Sequence, residues 1–397
     1  MKKLGLIVNP LAGIGGRVGL KGSDGAEIVR RALELGAARE APHRAQLALA
    51  RLTPQQVREH LEIVTWPGEM GADEARAAGF EPTVVGSLAC CPRRTVAGRE
   101  FVETSGADTE QAARDLVAAG VDLLLFAGGD GTARNVFDAV GHQVPVIGIP
   151  AGVKIHSAVY ATTPGAAGDL AARFLGDRPQ AAPLREAEVM DIDEEAFRDN
   201  RVSAHLYGYL LVPYARTLLQ SAKAGGVAGD AAELEAIATE VANAMQPGAL
   251  YLLGPGTTTR AIAGKLGLEK TLLGVDAVVD RAAAGADLNE HDILALLDAR
   301  SAGGVEPPAV RIVVTVIGGQ GHIFGRGNQQ FSPAVIRRVG RDNVVVAATQ
   351  TKLLSLGGGP LLVDTGDEEL DASFAGYVRV VTSLGQATMY RVAAAGD

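Results

Sequence analysis

Cysteine and aromatic residues are scarce in this chain of 397 residues, which contains two cysteines and only 4% Phe, Trp and Tyr. The two cysteines, Cys90 and Cys91, are neighbours in sequence and rarely form an unstrained bridge, which excludes a disulfide framework. A reducing compartment, the cytoplasm, is therefore the expected location. Glycine is abundant instead, with 50 residues. This combination is typical of an α/β protein with many tight turns between strands and helices.

Long apolar runs and clusters of basic residues are also missing. No stretch approaches the ~20 apolar residues that a membrane span requires, and the N-terminal run at residues 4–8 is too short for a signal peptide. The formal net charge is −9, and Lys and Arg are dispersed along the chain. We therefore expect neither a nucleic acid nor a membrane as partner. The length indicates two or three domains.

Several catalytic signatures are absent as well. The sequence has no G-x-x-x-x-G-K-[ST] loop, no protein-kinase motif set, no G-x-S-x-G elbow and no H-E-x-x-H pair. The chain is therefore not a P-loop enzyme, and any chemistry must come from other motifs.

Short apolar runs alternate with helical patterns in the first half of the chain. Strands are predicted at residues 4–8, 61–65, 121–127 and 144–149, and helices at residues 26–35, 72–78, 109–119 and 132–140. The nearly continuous apolar run of the third strand is typical of a central parallel strand covered on both faces. The series predicts a doubly wound parallel sheet, in which ligands bind beyond the carboxyl ends of the strands.

The pattern changes after about residue 180, so we place the boundary between a first domain, residues 1–180, and a second, residues 181–397. Strands are predicted at residues 185–191, 202–212, 249–253, 271–275, 310–317 and 344–348, with a helix at 231–245 and a loop at 224–229. This mixture predicts a second domain of mixed β and α/β structure. The tail, residues 361–392, is predicted to form short strands. We consider an arrangement in which these strands pack back on the first domain.

The string GGDGT, which begins at Gly128, follows a strong strand, precedes a helix and is the most specific signal in the sequence. Gly129 and Gly131 also let the backbone approach a ligand closely, and the helix N-terminus offers N–H groups and a favourable dipole to a phosphate. An aspartate inside this loop would repel a phosphate, so its presence there calls for a chemical role. Two tasks fit Asp130: holding Mg²⁺, or accepting the proton of an attacking hydroxyl. The structural alternative is a plain turn in which Asp130 caps the helix through Thr132.

Two further glycine-rich loops in the first half follow predicted strands. The loop that begins at Asn9 and ends at residue 16 can cradle phosphates through backbone N–H groups, and a flexible turn explains it equally well. The loop at residues 148–157 contains Lys154, whose ammonium group can reach a phosphate. It also contains His156, which is either a polar contact in the site or a structural hydrogen-bonding residue.

The second half carries two similar loops. Gly256, Thr257 and Thr258 lie where a strand ends and a helix begins. Together with Arg260 they favour an anion site over simple N-capping by threonine. The loop at residues 318–328 places His322 among glycines, where functional groups concentrate, and a long structural loop is the alternative.

The GGDGT string on a strand-to-helix turn resembles that of the ATP-NAD kinase and diacylglycerol kinase superfamily. The strings LGLIVNPLAG at residues 4–13 and IPAGVKIHS at residues 149–157 resemble the AcoX-type branch of the ATP-NAD kinases. The resemblance implies an N-terminal domain of the superfamily's type and transfer of a phosphoryl group from ATP to the 2′-hydroxyl of NAD, giving NADP, with Mg²⁺. It also implies that Asp130 is the general base and that residues 256–258 are the counterpart of the family's nucleotide-contacting loop.

Two departures from the family pattern leave the acceptor open. We find no equivalent of the Asn-Glu pair that holds the adenosine ribose in ordinary NAD kinases, and residues 250–350 look α/β rather than mainly β. The alternatives are a kinase of a lipid, a sphingoid base or a sugar phosphate, and a non-catalytic regulator that binds NAD or ATP. We expect small-molecule nucleotides as partners, and a homo-oligomer, either a dimer or a tetramer.

Overall fold

The computed structural model divides the chain into two compact units. Unit 1 comprises Met1–Gly15 and Gly22–Ala222, and unit 2 comprises Gly16–Lys21 and Lys223–Ala395. The structure describes residues 1–20, 26–53, 60–89, 91–96, 99–152, 155–176, 182–192, 204–215, 218–219, 230–271, 273–301, 309–317 and 320–394. Within these ranges, every helix is too short or too polar to cross a lipid bilayer.

Unit 1 contains nine strands and six helices among its described residues. The strands are β1 (Lys2–Val8), β2 (Leu61–Thr65), β3 (Thr83–Val84), β4 (Arg93–Val96), β5 (Arg99–Val102), β6 (Leu123–Gly128), β7 (Val146–Pro150), β8 (Leu184–Ile192) and β9 (Ala204–Pro213). The helices are α1 (Ala26–Glu34), α2 (Glu40–Ala50), α3 (Ala72–Ala77), α4 (Gly106–Ala118), α5 (Asp130–Val140) and α6 (Pro164–Leu175), with a 3-10 turn at Gly68–Met70.

A five-stranded parallel sheet forms the centre of unit 1, in the order β3-β2-β1-β6-β7. Every residue of β6 and β7 is buried, as in parallel sheets covered on both faces. The chain runs outward from β1 to β3 and returns to β6 on the other side of β1, so the strand order reverses between β1 and β6. Ligands of such sheets bind at this reversal, beyond the carboxyl ends of the strands. The loops that follow β1 and β6 both lie there.

Strands β8 and β9 pair with each other in antiparallel fashion and belong to unit 1. Their buried side chains join the same apolar core as the parallel sheet, which explains the assignment; among them are Ala187, Val189, Leu210 and Val212. Unit 1 therefore extends to Ala222, about 40 residues beyond the boundary that the sequence placed near residue 180.

Unit 2 contains nine strands and six helices among its described residues. The strands are β10 (Leu250–Leu253), β11 (Val275–Val279), β12 (Ala282–Leu288), β13 (Val310–Thr315), β14 (His322–Phe324), β15 (Val344–Ala347), β16 (Leu361–Val363), β17 (Gly376–Ser383) and β18 (Gln386–Ala394). The helices are α7 (Asp230–Asn243), α8 (Thr257–Lys265), α9 (Glu290–Ser301), α10 (Pro333–Val339), α11 (Gln350–Leu354) and α12 (Glu368–Ser373), with a 3-10 turn at Arg341–Asn343.

The strands of unit 2 form one mixed sheet in the order β12-β11-β10-β13-β15-β17-β18-β16-β14. Strands β10, β13, β15 and β17 run parallel to one another, whereas β11 and β12 continue the sheet in antiparallel fashion. The predicted class is confirmed: a parallel α/β domain precedes a mixed β and α/β domain. The tail contributes β16, β17 and β18, which pair within the sheet of unit 2. Its packing on the first domain stays a prediction. The loop predicted at residues 224–229 lies outside the described residues.

Candidate active site at the GGDGT turn

The candidate active site is built around the turn between β6 and α5. Strand β6 ends at Gly128, and α5 begins at Asp130. A side chain at Gly128 would collide with its neighbour, because its Cβ would lie 2.3 Å from the hydroxyl oxygen of Thr132. That hydroxyl accepts a hydrogen bond of 3.0 Å from the side-chain amide of Asn9. The turn after β6 and the loop after β1 are therefore tied together where the strand order reverses.

The same turn contacts the loop that follows β7. The backbone N–H groups of Ala151 and Gly152 both donate to the carbonyl oxygen of Gly128, at 2.9 and 3.0 Å. A Cβ on Gly152 would lie 2.7 Å from the Cα of Gly129, so this close approach of two backbones requires glycine. The Tyr160 hydroxyl donates to the carbonyl oxygen of Gly129 at 2.5 Å and fixes the turn from a third side.

The loop after β1 packs against the loop after β7 as well. Gly13 has a φ of 77°, and a Cβ there would lie 2.1 Å from the carbonyl oxygen of Ala151. Both observations require glycine at this position. Three loops, which follow β1, β6 and β7, therefore converge at one edge of the sheet.

The Asp130 carboxylate reaches across to the loop after β7 and is 9% exposed. Its Oδ1 accepts the backbone N–H of Ser157 at 3.0 Å and the Ser157 hydroxyl at 2.6 Å. Its Oδ2 accepts the backbone N–H of His156 at 2.8 Å. This arrangement differs from the structural alternative drawn from the sequence, because the donors that hold the carboxylate come from another loop and not from its own helix.

His156 lies beside this carboxylate, and only 6% of its surface is exposed. Its Nδ1 is 3.4 Å from Oδ2 of Asp130. Among the residues that the structure describes, neither ring nitrogen has a hydrogen-bond partner. The geometry therefore brings the predicted polar contact to the candidate site. Lys154, predicted from the same loop, lies outside the described residues.

The first turn of α5 supplies a phosphate-binding geometry. Gly131 and Thr132 lie in that turn, where backbone N–H groups have no acceptor within the helix. Such N–H groups and the positive end of the helix dipole favour an anion. The N-terminus of α5 points to the same edge of the sheet as the three loops, because β6 leads directly into it.

A buried carboxyl group that the sequence analysis missed lies in α3, after the end of β2. Glu74 is 3% exposed, and among the described residues its Oε2 has no hydrogen-bond partner. Burial raises the pKa of this carboxyl from 4.5 to about 7, because the surrounding protein disfavours the charged form. Nothing in the sequence marks this position, since Glu74 stands in a short helix beside the exposed Asp73.

The predicted anion loop of unit 2 lies at the start of α8. Gly256 has a φ of 127°, and a Cβ there would lie 2.6 Å from the Thr315 methyl carbon, so glycine is required. Thr258 has no exposed surface. Its hydroxyl oxygen is 3.0 Å from the Thr315 hydroxyl oxygen and 3.0 Å from the Lys352 ammonium nitrogen. The Lys352 nitrogen is also 3.0 Å from the Thr315 hydroxyl oxygen. Lys352 brings a cation to this helix N-terminus that sequence reasoning did not find.

The remaining predicted residues of unit 2 have contrasting positions. Thr257 and Arg260 are exposed on the first turns of α8, where they are accessible to a dissolved ligand. His322 lies in β14 and has no exposed surface, so a dissolved substrate does not reach it in this conformation.

The described residues do not form a metal site of their own. They contain no group of three or more His, Cys, Asp and Glu side chains arranged to hold a metal ion. Both oxygens of Asp130 already accept hydrogen bonds from N–H and O–H donors, so they face donors and not a cation. Mg²⁺ therefore stays an implication of the resemblance.

The comparisons with known proteins decide the family. Residues 4–178 match the model of the ATP-NAD kinase N-terminal domain, and residues 248–392 match the model of the ATP-NAD kinase C-terminal domain. The chain belongs to the ATP-NAD kinase family. Searches of curated proteins and of solved structures returned no significant match. The two family matches together cover well over half of the chain and lie in the same order as units 1 and 2.

As a member of the ATP-NAD kinase family, the chain is an ATP-dependent phosphotransferase. The GGDGT turn lies within the N-terminal match, and the cluster of Thr258, Thr315 and Lys352 lies within the C-terminal match. The resemblance drawn from the sequence is thus confirmed for the family, and the AcoX-type branch stays a prediction. The roles of individual site residues also stay predictions.

Proposed function

We propose that this ATP-NAD kinase transfers the γ-phosphoryl group of ATP to the 2′-hydroxyl of NAD, giving NADP, and that Asp130 provides general-base catalysis. We place the chain in the AcoX-type branch on its strings at residues 4–13 and 149–157. The observation that carries the proposal is the position of the Asp130 carboxylate. It lies at the N-terminus of α5, at the reversal of strand order between β1 and β6, beside loops with phosphate-binding geometry.

Phosphoryl transfer depends mainly on positioning and on stabilising negative charge. In the proposal, the first turn of α5 and the glycine-rich loops hold the donor phosphates through backbone N–H groups. Asn9 and Thr132 keep two of these loops together, and the contact of Gly129 with Gly152 keeps the third in place. These contacts support a site whose geometry exists before ATP binds.

The acceptor hydroxyl must lose its proton as the new O–P bond forms. The Asp130 carboxylate is the acidic group at the GGDGT turn, and its three hydrogen bonds fix its position. General-base catalysis of this kind contributes ~10²–10⁴-fold to a rate. A fixed carboxylate is suited to this task because the acceptor then meets it in one geometry.

Unit 2 offers cationic and hydroxyl donors that suit a phosphate. Lys352 and Thr258 lie at the N-terminus of α8, where the dipole also favours an anion. The pyrophosphate of NAD is an anion of this class. We therefore assign this cluster to nucleotide binding within the proposal, together with Gly256 and Thr257.

A panel of acceptors tests the proposed reaction. The full chain is incubated with Mg-ATP and, separately, with NAD, NADH, diacylglycerol, a sphingoid base and a sugar phosphate, and the products are identified by mass spectrometry. We expect NAD to gain one phosphoryl group. Phosphorylation of only a lipid or a sugar phosphate would contradict the acceptor, and binding of ATP and NAD without any transfer would identify a nucleotide-binding regulator. Light scattering of the same sample tests the expected homo-oligomer.

A further inference from the structure

The turn that follows β2 lies at the same edge of the sheet as the loops of the candidate site. Strand β2 neighbours β1 in the parallel sheet, so its carboxyl end lies next to the loop that follows β1. The Thr65 hydroxyl at the end of β2 donates to the Leu6 carbonyl oxygen of β1 at 2.8 Å. The Ala72 N–H closes the turn by donating to the Trp66 carbonyl oxygen at 3.1 Å. The 3-10 turn at Gly68–Met70 is therefore held at the edge where ligands of such sheets bind.

An ion pair joins this turn to the start of α2. Nη1 of Arg39 donates to Oε2 of Glu69 at 2.5 Å. Arg39 immediately precedes α2, and a Cβ on Gly13 of the loop after β1 would lie 3.6 Å from the Cβ of Glu40, the first residue of that helix. The pair thus lies beside the loop after β1. The Arg39 and Glu69 side chains are 30% and 27% exposed, so a dissolved ligand can reach both.

One oxygen of the Glu69 carboxylate is available to a ligand. Within the described ranges, Oε2 has Arg39 as its partner and Oε1 has no hydrogen-bond partner. An ionised carboxylate only accepts hydrogen bonds, so Oε1 suits a ligand that presents O–H donors. The hydroxyls of a nucleotide ribose are donors of this kind, and carboxylates bind them in other sheets of this strand order. The adjacent guanidinium offsets the negative charge, so the pair does not repel a triphosphate bound nearby.

The direction in which Asp130 points decides which nucleotide lies on the β2 side. Its carboxylate is held by the backbone N–H groups of His156 and Ser157, in the loop after β7. In the proposed function the acceptor hydroxyl meets that carboxylate, so the acceptor approaches from the β7 side of the GGDGT turn. The attacking and leaving oxygens lie roughly in line, on opposite sides of the transferred phosphorus. The leaving ADP and its ribose therefore lie on the other side, towards β1 and β2.

We infer that Glu69 is a specificity-determining residue of the donor site, and that its Oε1 accepts a hydrogen bond from a ribose hydroxyl of ATP. Arg39 is the positioning residue that holds the carboxylate in the orientation this contact requires. The inference rests on the proposed function, which places the donor phosphates at α5 and the glycine-rich loops, and it names the part of unit 1 that recognises the nucleoside. The chain thereby distinguishes ATP from a triphosphate that lacks the contacted hydroxyl.

A first experiment measures donor binding to the full chain by isothermal titration calorimetry, with the Mg²⁺ complexes of ATP, 2′-deoxyATP and 3′-deoxyATP. We expect the wild type to bind at least one deoxy analogue about tenfold more weakly than ATP, and Glu69→Ala to bind that analogue and ATP equally. An exposed ion pair contributes little to stability, so Glu69→Ala should fold, which circular dichroism verifies. Asp73→Asn, an exposed acid in the neighbouring helix, is the control and should keep the wild-type preference. No preference in the wild type, or an unchanged preference in Glu69→Ala, would overturn the inference.

A second experiment uses steady-state kinetics with Mg-ATP and NAD. Glu69→Ala should raise the KM for ATP by about tenfold, while kcat and the KM for NAD change only a few-fold. Arg39→Met should lose the same preference for ATP over the deoxy analogue, and Arg39→Lys, which keeps a cation, should recover part of it. A rise in the KM for NAD alone would place the acceptor at Glu69 and overturn the inference. If the wild type phosphorylates no NAD, the proposed function fails, while the binding experiment still decides the role of Glu69.

Discussion

The Ser157 hydroxyl lies 2.6 Å from Oδ1 of Asp130, and it also accepts the backbone N–H of Met190 in β8 at 2.9 Å. Ser157 has no exposed surface. One hydroxyl therefore connects the central carboxylate of the GGDGT turn to the β8–β9 pair and, through that pair, to the core of unit 1. The position of the Asp130 carboxylate therefore depends on Ser157 and Met190, which lie outside the GGDGT motif.

Replacing Ser157 with alanine should lower the free energy of unfolding by ~1–3 kcal/mol. The reason is that the Met190 N–H and a lone pair of Asp130 lose a buried partner. Urea unfolding of Ser157→Ala measures the loss. The matched control is Ser87→Ala, an exposed serine, which should stay within about 0.5 kcal/mol of the wild type. Equal stability of the two variants would show that the hydroxyl does not hold the carboxylate.

Gly152→Ala should separate the loops that follow β6 and β7. The new Cβ would lie 2.7 Å from the Cα of Gly129, and backbone cannot move aside as a flexible side chain can. Overpacking of this kind lowers the free energy of unfolding by ~1–3 kcal/mol. Transfer activity should also fall, because the phosphate-binding loops move out of position relative to one another.

The control for that substitution is Gly264→Ala in α8. A Cβ there meets nothing within 4 Å, and the position is an exposed one in a helix. Alanine should therefore stabilise the chain by about 0.4–1 kcal/mol. A Gly152→Ala variant as stable and active as Gly264→Ala would contradict the close approach of the two backbones.

Glu74 should make the stability of unit 1 depend on pH. Its pKa is raised by burial to about 7 in the folded chain, so between about pH 4.5 and 7 the folded state holds a proton that the unfolded state has released. Stability due to this group is therefore complete below pH 4.5 and falls as the pH rises to about 7, by at most ~3 kcal/mol. Glu74→Gln should remove most of this decline.

Urea unfolding at several pH values from about 4.5 to 8 tests the effect of Glu74. The exposed Glu81→Gln serves as the control and should keep the wild-type pH dependence. A parallel decline of stability in wild type and Glu74→Gln would show that another group is responsible.

Lys352→Met should weaken the binding of a pyrophosphate-containing nucleotide. The Lys352 ammonium group lies at the N-terminus of α8 and contacts the hydroxyls of Thr258 and Thr315. Losing a charge-assisted contact to phosphate should raise the Kd for NAD by about tenfold or more. Isothermal titration calorimetry measures the change, with Lys265→Met, an exposed lysine of the same helix, as the control. Lower stability with unchanged Kd would instead assign Lys352 a purely structural role.

The sequence predicted the parallel sheet of unit 1 well, because continuous apolar runs mark buried strands without reference to the rest of the chain. The predicted strand at residues 61–65 coincides with β2, and α5 begins two residues before the predicted start of its helix. Strand β12 was missed, because its exposed Ala- and Gly-rich sequence lacks the β-branched residues that favour strands. The strand expected at residues 271–275 begins only at Val275, because Thr271 donates twice to the Asp276 carboxylate and forms a turn.

The sequence predicted the location of the candidate site but not the contacts among its residues. Local glycine spacing located the turn around Asp130, but the partners of its carboxylate come from a loop 26 and 27 residues later. Pairing over such a distance depends on the order of strands in the sheet, which no local pattern specifies. Lys352 was missed for the same reason, since it reaches Thr258 from 94 positions away.

Asp130→Asn is the variant on which the account of catalysis depends. The amide would place an N–H group where the carboxylate now accepts N–H donors, so a stability loss of ~1–3 kcal/mol should accompany the loss of activity. Rates are therefore compared only at temperatures where urea unfolding and circular dichroism show both proteins to be folded. A slow variant that is also unfolded would say nothing about the base.

The most direct measurement follows NADP and ADP together after the folded wild-type chain and Asp130→Asn are each mixed with Mg-ATP and NAD. The account predicts equal amounts of NADP and ADP from the wild type, with ³¹P NMR showing the new phosphate on the 2′-oxygen, and a rate ~10²–10⁴-fold lower from Asp130→Asn. Formation of NADP at the wild-type rate by Asp130→Asn, or ATP consumption without NADP from the wild type, would contradict it.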